Sequence, residues 1–333
     1  MTTPLRLGVL GGRSWILHQA ILPALALVDE VELVAVGAAT GPVGEGIEDA
    51  AVRAALVAAD RGSYEAVLAD DEVEAVYLPL PNDLHLPWVT RALEAGKHVL
   101  CEKPLGLTAD EVERMHASAA AADRVLAEAW MTPFSPRWRA SIEAAERGEV
   151  GEVRHVRTEF TFPLGPEARS NYRFAPEHGG GSLYDVGIYA LGPALRLLGD
   201  DPAGIEVVVD RDPTGVDLTT VVLLDHGHGR AASAMTSFGL PDRQLLEITG
   251  TEGRIVVDAV AHTNPTGAPA PRLERAGEDP RALTYDDHDP YARMLEAFVA
   301  AVRGGAPWPR PASDEVALAR VLDRVLARGA RTA

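Results

Sequence analysis

The sequence predicts a two-part chain, α/β then α+β: a doubly wound parallel sheet followed by a mostly antiparallel open sheet flanked by helices. Three observations carry this. At 333 residues the chain is too long for one ordinary core, and 47% of it is apolar, enough for two. Over the first ~125 residues short apolar runs alternate with helical patterns, which is how βαβ units read. Beyond residue 150 long strand-like runs follow one another through connections too short to hold a crossover helix, so their pairing is antiparallel. The two parts are set at residues 1–127 and 128–333.

In the first part Leu5 to Leu10 is an apolar run ending before glycine, and Val31 to Val36 repeats it after a helix. Glu74 to Leu80 and His98 to Cys101 follow, each after a helical stretch. Thr108 with Glu111 three residues later is a capping-box pattern, in which each side chain serves the other's backbone donor, and it predicts a helix over 108–122. Arg124 to Ala129 is the last strand before Pro133 and Pro136 break the pattern. In the second part the strands are Glu152–Phe162, Ile205–Asp210, Leu218–Leu224, Ala231–Phe238, Leu245–Thr249 and Arg254–Val257. The stretch from His262 to Arg281, rich in proline and glycine, reads as irregular. Asp289-Pro290 then starts a helix whose apolar stripe is Tyr291, Met294, Leu295, Phe298, Val299 and Val302, closed by Gly304. Ser313 caps a last helix with the stripe Leu318, Val321, Leu322, Val325 and Leu326.

A formal charge of −18 argues against nucleic-acid and anionic-membrane partners, which need basic surface. The single cysteine, Cys101, excludes an intrachain disulfide and a thiolate zinc cluster, so the expected setting is a reducing cytoplasm. No signal-peptide pattern or membrane-length apolar run is expected to direct the chain elsewhere. His226-Gly227-His228 lies at a hairpin turn without a third ligand at suitable spacing, so no metal site is expected.

Two motifs carry the chemistry. In Ala95-Gly96-Lys97-His98-Val99-Leu100-Cys101-Glu102-Lys103-Pro104 a strand delivers Lys103 to its carboxyl end, and Pro104 keeps it from starting the next helix. Open parallel sheets bind ligands at that end. Alone, Lys103 would read as a solvated cation. In Gly179-Gly180-Gly181-Ser182-Leu183-Tyr184-Asp185-Val186-Gly187-Ile188-Tyr189 a glycine-rich turn feeds a helix that puts Asp185 and Tyr189 on one face. With Ala75-Val76-Tyr77-Leu78-Pro79-Leu80-Pro81-Asn82 and His85, Gly148-Glu149-Val150-Gly151-Glu152-Val153, and Asn171-Tyr172-Arg173, these motifs occur in the order of one family. Over most of its length the chain resembles the Gfo/Idh/MocA nicotinamide-dependent oxidoreductases. Tyrosine at position 189 is similar to the branch of glucose–fructose oxidoreductase, dihydrodiol and xylose dehydrogenases, and sugar-nucleotide ketoreductases.

The resemblance implies a Rossmann domain over 1–127 and a substrate-binding, dimerising domain over 128–333, with the last helix packing back on the first domain. It implies NADP or NAD as cofactor, held by Gly11, Gly12, Arg13, Ser14, Trp15, Pro79, Asn82, His85, Glu102 and Lys103. Lys103, Tyr189 and Asp185 would be catalytic, and Asn171, Tyr172 and Arg173 would reach a small sugar-like substrate. The glycine loop departs from Gly-x-Gly-x-x-(Gly/Ala): counted from Gly11, Arg13 takes the second glycine's place; counted from Gly12, Ser14 does, and the second register keeps the spacing to Leu22-Pro23-Ala24-Leu25. Trp15 is bulk where bulk is usually avoided. After the second strand, Val36-Gly37-Ala38-Ala39-Thr40 offers neither the acid that binds ribose hydroxyls nor the arginine that takes a 2′-phosphate. Arg13 as phosphate partner tips the reading toward NADP.

Hydride transfer at an alcohol carbon needs a group for the hydroxyl proton. Tyr189 is assigned that role, with Lys103 lowering its pKa and bonding the sugar oxygen, and Asp185 positioning a second hydroxyl. A structural alternative stands beside each: Ser182 with Asp185 as a capping pair, Tyr189 as a core aromatic, His85 as a helix cap or solvated residue. At the level of the whole protein, the alternatives to an oxidoreductase of sugars, polyols, cyclitols or dihydrodiols are a regulator or scaffold that has lost catalysis and a redox-assisted glycoside hydrolase. An exposed antiparallel sheet would need a covering partner, and a homodimer is the simplest.

Overall fold

The computed structural model describes residues 3–45, 47–258 and 267–330; Gly46 and the beginning of the 262–281 stretch lie outside them. Two compact units form, one from the described residues of 1–106, 110–131 and 291–315, the other from those of 107–109, 132–290 and 316–333.

In the first unit the strands β1 (Leu5–Leu10), β2 (Val31–Gly37), β3 (Asp60–Gly62), β4 (Ala75–Leu78), β5 (His98–Glu102) and β6 (Leu126–Ala129) form a parallel sheet in the order β3-β2-β1-β4-β5-β6. Every residue of β4 and β6 is buried, which is why β4 is a continuous apolar run and β6 is apolar except for Glu128. The connections are a π-helical turn Leu17–Ile21 running into α1 (Leu22–Leu25), then α2 (Ala50–Ala59), α3 (Tyr64–Ala69), α4 (His85–Glu94) and α5 (Ala109–Ala122). Asp49 caps α2, accepting from the Ala51 and Val52 amides at 2.8 and 3.0 Å, and Ser63 caps α3 through the Ala66 amide at 3.1 Å. The strand order reverses between β1 and β4, so the carboxyl ends of these two strands flank the crevice in which such sheets bind ligands. Buried Lys97 pins the turn before β4 by donating to the carbonyls of Asp70 at 2.9 Å and Val73 at 2.8 Å, and burial pushes its pKa down.

The second unit begins with α6 (Pro136–Glu146), followed by β7 (Val153–Thr161), α7 (Ser182–Leu198), β8 (Gly204–Arg211), β9 (Asp217–Asp225), β10 (Ala231–Ser237), β11 (Arg243–Gly250), β12 (Gly253–Asp258), β13 (Arg272–Arg275) and β14 (Arg281–Ala282). Among the described residues these strands make an eight-stranded sheet, β14-β13-β12-β11-β7-β10-β9-β8, antiparallel except for the β7–β10 pair. Helix α7 covers one face, and the Thr158 hydroxyl donates to the Ala190 carbonyl at 2.6 Å. On the strands β8 and β9 the other face bears Val208 (70% exposed), Leu223 (52%) and Val221 (38%), with Val208 directly opposite Val221. Helices α8 (Pro290–Val302) and α9 (Ala312–Gly329) end the chain.

Three readings of the sequence need correction. Pro136 does not break the pattern but opens α6, where its missing amide costs nothing, and Ser135 caps the helix. The described part of the 262–281 stretch is not wholly irregular: β13 and β14 extend the sheet edge. The last helix starts at Ala312, so Ser313 lies in its first turn, with its hydroxyl bonded to Asp314 at 3.2 Å.

Replacing Lys97 with Met keeps the aliphatic stem and removes both bonds to carbonyls. The expected loss is about 1–3 kcal/mol of unfolding free energy, read by thermal or urea denaturation; an unchanged midpoint would show that the turn holds without them.

Candidate active site

In the first unit the chain leaves β1 through Gly11, whose φ is +128°, and the amides of Gly11 and Gly12 both donate to the Gly37 carbonyl at 3.0 and 2.9 Å. A Cβ on Gly12 would stand 2.4 Å from a methyl of Val36, so only bare backbone passes here. The Ser14 amide closes the turn on the Gly11 carbonyl at 2.9 Å, the backbone becomes helical at Trp15, and a ring nitrogen of His18 lies 2.8 Å from the Gly12 carbonyl. Pro79 packs beside Gly11, and Asn82, buried, opens the 3-10 turn that leads into α4. Trp15 is 71% exposed. Arg13 reaches over to the loop after β2, where its guanidinium bonds the Thr40 carbonyl at 3.3 Å and Glu45 at 3.0 Å. A glycine turn too tight for side chains, opening a helix at the carboxyl end of β1, fits the pyrophosphate of a dinucleotide; Gly11, Gly12 and Ser14, whose own amides are bonded within the protein, would let it approach bare backbone, and the helix that begins at Trp15 would face it with its amino end.

At the end of β5 the backbone of residues 103–105 is held residue by residue from below. The Lys103 amide donates to Glu102 Oε2 at 3.3 Å, a ring nitrogen of His85 lies 2.8 Å from the Pro104 carbonyl, and the Leu105 amide donates to Glu128 Oε1 at 2.8 Å. The Lys103–Pro104 peptide is cis. Glu102 also accepts from the Tyr77 hydroxyl at 2.7 Å; burial raises its pKa against the pull of the neighbouring Lys103 charge. The second oxygen of Glu128 pairs with buried Arg310, whose guanidinium lies 4.7 Å over the Trp130 ring. Glu315, also buried, bonds His116 at 2.8 Å. Lys103 itself is half-buried.

This arrangement corrects the reading of His85. Its ring is fully buried and its other nitrogen lies 3.0 Å from the Leu80 carbonyl, so it is neither solvated nor a ligand presented to a nicotinamide. Burial holds its pKa down despite three carbonyls nearby. His85 ties the loop after β4 to the loop that carries Lys103. The carboxylate of Glu102 is engaged in the same inward way.

In the second unit the glycine run is explained by close packing. A Cβ on Gly180 would meet the Arg173 carbonyl at 2.7 Å, and Gly181, with φ +113°, faces Asp217 so closely that a Cβ would lie 2.0 Å from its oxygen. Asp217, buried, accepts from the Ser182 hydroxyl at 2.7 Å, the Leu183 amide at 2.9 Å and the Thr220 hydroxyl at 2.9 Å; burial raises its pKa against these bonds. It therefore caps α7 from a neighbouring strand, and the Ser182–Asp185 capping pair does not form. Asp185 instead accepts from Arg173 Nε at 2.8 Å. Desolvation opposes the charge on Arg173, but Asp185 outweighs it and the guanidinium's pKa is raised. The same guanidinium lies 5.1 Å over the Tyr172 ring, and the Asn171 side chain accepts from the Arg173 amide at 3.0 Å, capping the short turn Tyr172–Phe174. Tyr189, one turn beyond Asp185, is largely buried and meets Phe160 edge-on at 5.2 Å between ring centroids. Tyr184, by contrast, donates to the Leu107 carbonyl at 2.9 Å.

Each unit thus gathers a subset of the expected residues: Gly11, Gly12, Arg13, Ser14, Trp15, Pro79, Asn82, His85, Glu102 and Lys103 in the first, and Asn171, Tyr172, Arg173, Asp185 and Tyr189 in the second. Sequence reasoning missed Glu45, Glu128, Asp217 and Arg310, whose partners lie far along the chain or in another loop. Glu128 alone carried a signal, an acid inside an otherwise apolar strand. Among the described residues no group of three or more His, Cys, Asp or Glu side chains is placed to hold a metal ion, and no helix is long and apolar enough to cross a membrane.

Residues 5–129 match the model of the oxidoreductase family with an NAD-binding Rossmann fold, and residues 138–256 match the GFO/IDH/MocA C-terminal domain. The chain belongs to the Gfo/Idh/MocA family. Its relatives include a D-xylose 1-dehydrogenase (NADP+) of Haloferax volcanii, 36% identical over 79% of this chain and 80% of that one. A dTDP-3,4-didehydro-2,6-dideoxy-α-D-glucose 3-reductase of Streptomyces antibioticus is 35% identical over 97% of this chain and 96% of its own. Among solved structures, a 3-ketoreductase from Actinomadura kijaniata in complex with NADP and TDP-benzene superposes with a TM-score of 0.88 at 29% identity, covering 98% of each chain. Membership of the family makes this chain an NAD(P)-dependent oxidoreductase.

Glu128→Ala would leave Arg310 buried without its closest counter-charge. We expect a loss of about 3–5 kcal/mol in unfolding free energy, partly recovered in the Glu128→Ala/Arg310→Met double variant, both read by thermal unfolding. Equal losses in the single and double variants would show that the ion pair is not what matters.

Proposed function

We propose that the chain moves hydride between NADP or NAD and a hydroxyl or keto carbon of a sugar, polyol, cyclitol or dihydrodiol, with Tyr189 and Lys103 as the acid–base pair. The observation that supports this best is the presentation of Asp185 and Tyr189 on successive turns of a helix fixed at its start by Asp217. In this reading residues 1–127 bind the nucleotide and 128–333 carry the substrate and the subunit contact, in a cytoplasmic enzyme whose only cysteine is buried and free. Relatives named for D-xylose, a dTDP-linked keto sugar and trans-1,2-dihydrobenzene-1,2-diol support the substrate range.

The nicotinamide, when bound, supplies or accepts the hydride. In the oxidising direction Tyr189 takes the proton from the substrate hydroxyl, and in reduction it returns it to the carbonyl oxygen. The Lys103 ammonium favours the phenolate form of Tyr189 and donates to the same substrate oxygen. Asp185 accepts from a neighbouring substrate hydroxyl while Arg173 keeps its carboxylate aimed. Asn171, Tyr172 and Arg173 line the sugar's approach. Arg13 inclines the cofactor choice to NADP, since no acid ends β2.

Lys103→Met and Tyr189→Phe should each lower turnover by roughly 10²-fold or more with nucleotide binding retained, and the double variant should be little worse than either. Asp185→Asn should lower turnover with little change in melting temperature. Wild-type turnover in Tyr189→Phe, on whichever sugar or diol a screen first identifies, would remove tyrosine from the mechanism. Failure of both NADH and NADPH to quench tryptophan emission or bind calorimetrically at millimolar concentration would favour a scaffold instead.

The open face with Val208, Val221 and Leu223 is proposed as the contact of a homodimer. Light scattering should give twice the chain mass, and Val221→Asp with Leu223→Lys should give monomers; a wild-type monomer at tens of micromolar concentration would dismiss the idea.

A further inference from the structure

The loop after β1 and the loop after β2 are bridged by one side chain. Arg13 donates to the Thr40 carbonyl at 3.3 Å and pairs with Glu45 at 3.0 Å, both side chains about half exposed. A Cβ on Gly41 would lie 2.3 Å from the Arg13 guanidinium, so that group rests directly against the backbone of the loop after β2. In a doubly wound sheet the end of β2 is where the adenosine ribose sits, and its 2′ substituent is all that separates NADP from NAD. Arg53 bonds the Ile47 and Glu48 carbonyls farther along that loop, whereas Arg13 reaches it from the glycine turn and already has an anionic partner.

We propose that Glu45 sets the choice between NADP and NAD by competing with the 2′-phosphate for Arg13. The inference rests on the cofactor reading above and concerns its adenosine end. With NADP, the phosphate must displace the carboxylate from the guanidinium. With NAD, Glu45 keeps Arg13, and its second oxygen is available to a ribose hydroxyl. Arg13 alone would make a strongly NADP-selective site; the pair makes a site that admits both. The carboxylate needs no reach of its own into the pyrophosphate cradle, because Arg13 starts in the glycine turn and carries the effect there. A half-exposed pair of this kind is weak, which suits a partner that has to be displaced.

The test is binding rather than turnover. Dissociation constants for NADPH, NADH, 2′,5′-ADP and ADP are measured by calorimetry on wild type, Glu45→Gln, Arg13→Gln and the double variant. Glu45→Gln should tighten NADPH and 2′,5′-ADP by about 5-fold, the upper worth of an exposed pair, while NADH and ADP stay the same or weaken. Arg13→Gln should weaken NADPH and 2′,5′-ADP by roughly 10-fold or more and spare NADH, as loss of a charge-assisted phosphate contact predicts. In the Arg13→Gln background the Glu45 substitution should have no further effect, because Glu45 acts through Arg13. An unchanged NADPH-to-NADH ratio in Glu45→Gln overturns the proposal and leaves the oxidoreductase reading intact. A Glu45 effect of equal size in both backgrounds overturns it too, since the carboxylate would then act on the phosphate directly. Wild type binding neither dinucleotide would overturn both readings together.

Discussion

The site in the first unit depends on a buried carboxylate. Glu128 holds the Leu105 amide with one oxygen and Arg310 with the other, and so links the loop that carries Lys103 to a charge that would otherwise be stranded in the core. Taking a guanidinium and a carboxylate out of water costs several kcal/mol per ion, so such a pair adds little to net stability. Its effect is positional. With Glu102 and His85 it fixes three consecutive residues by directional bonds to their backbone. In the role proposed for Lys103 that arrangement matters, because a misplacement of about 1 Å is enough to lose most of an oriented group's contribution.

The second unit solves the same problem in the same way. Asp217 bonds the first turn of α7, as Glu128 bonds the loop after β5, and in both places the acid lies far in sequence from what it holds. The residues assigned to chemistry stand one step outward from these anchors: Asp185 and Tyr189 on the helix, Lys103 on the loop. Arg173 extends the pattern, since its backbone accepts the Gly181 amide while its side chain holds Asp185. Helix start, substrate loop and carboxylate are thereby a single hydrogen-bonded assembly.

Much of this was legible in the sequence, and the failures have physical causes. Apolar runs gave β1, β2, β4, β5 and β6, because strands buried on both faces are apolar at most positions. Strand β3, three residues long with no buried position, carries none. Strands β13 and β14 are short edge strands beyond a proline-rich stretch, where composition argues against regular structure. The glycines of 179–181 and the pair Asp185–Tyr189 were found by spacing. The capping partner of α7 was misjudged because a local pattern, Ser182 with Asp185, could not reveal that an acid on β9 takes the Ser182 hydroxyl and the Leu183 amide. His85 was placed on the wrong side of its loop for a similar reason: its two carbonyl partners come from different connections. Every residue that sequence reasoning missed acts across a long separation or between loops.

The first unit is not contiguous in the chain, for it is completed by residues 291–315, and Arg310 belongs to that returning segment. A ribosome therefore releases β1 to β6, with Glu128 among them, well before the cation that neutralises Glu128 has been made. Until then that carboxylate has only the Leu105 amide to compensate it, and the Lys103 loop is held at the Glu102 and His85 points with its third support incomplete. Domains generally fold in order of synthesis. Here the earliest strands wait for a segment near the end of the chain, so the first unit gains its final electrostatic closure only after residues 132–290 of the second have been translated.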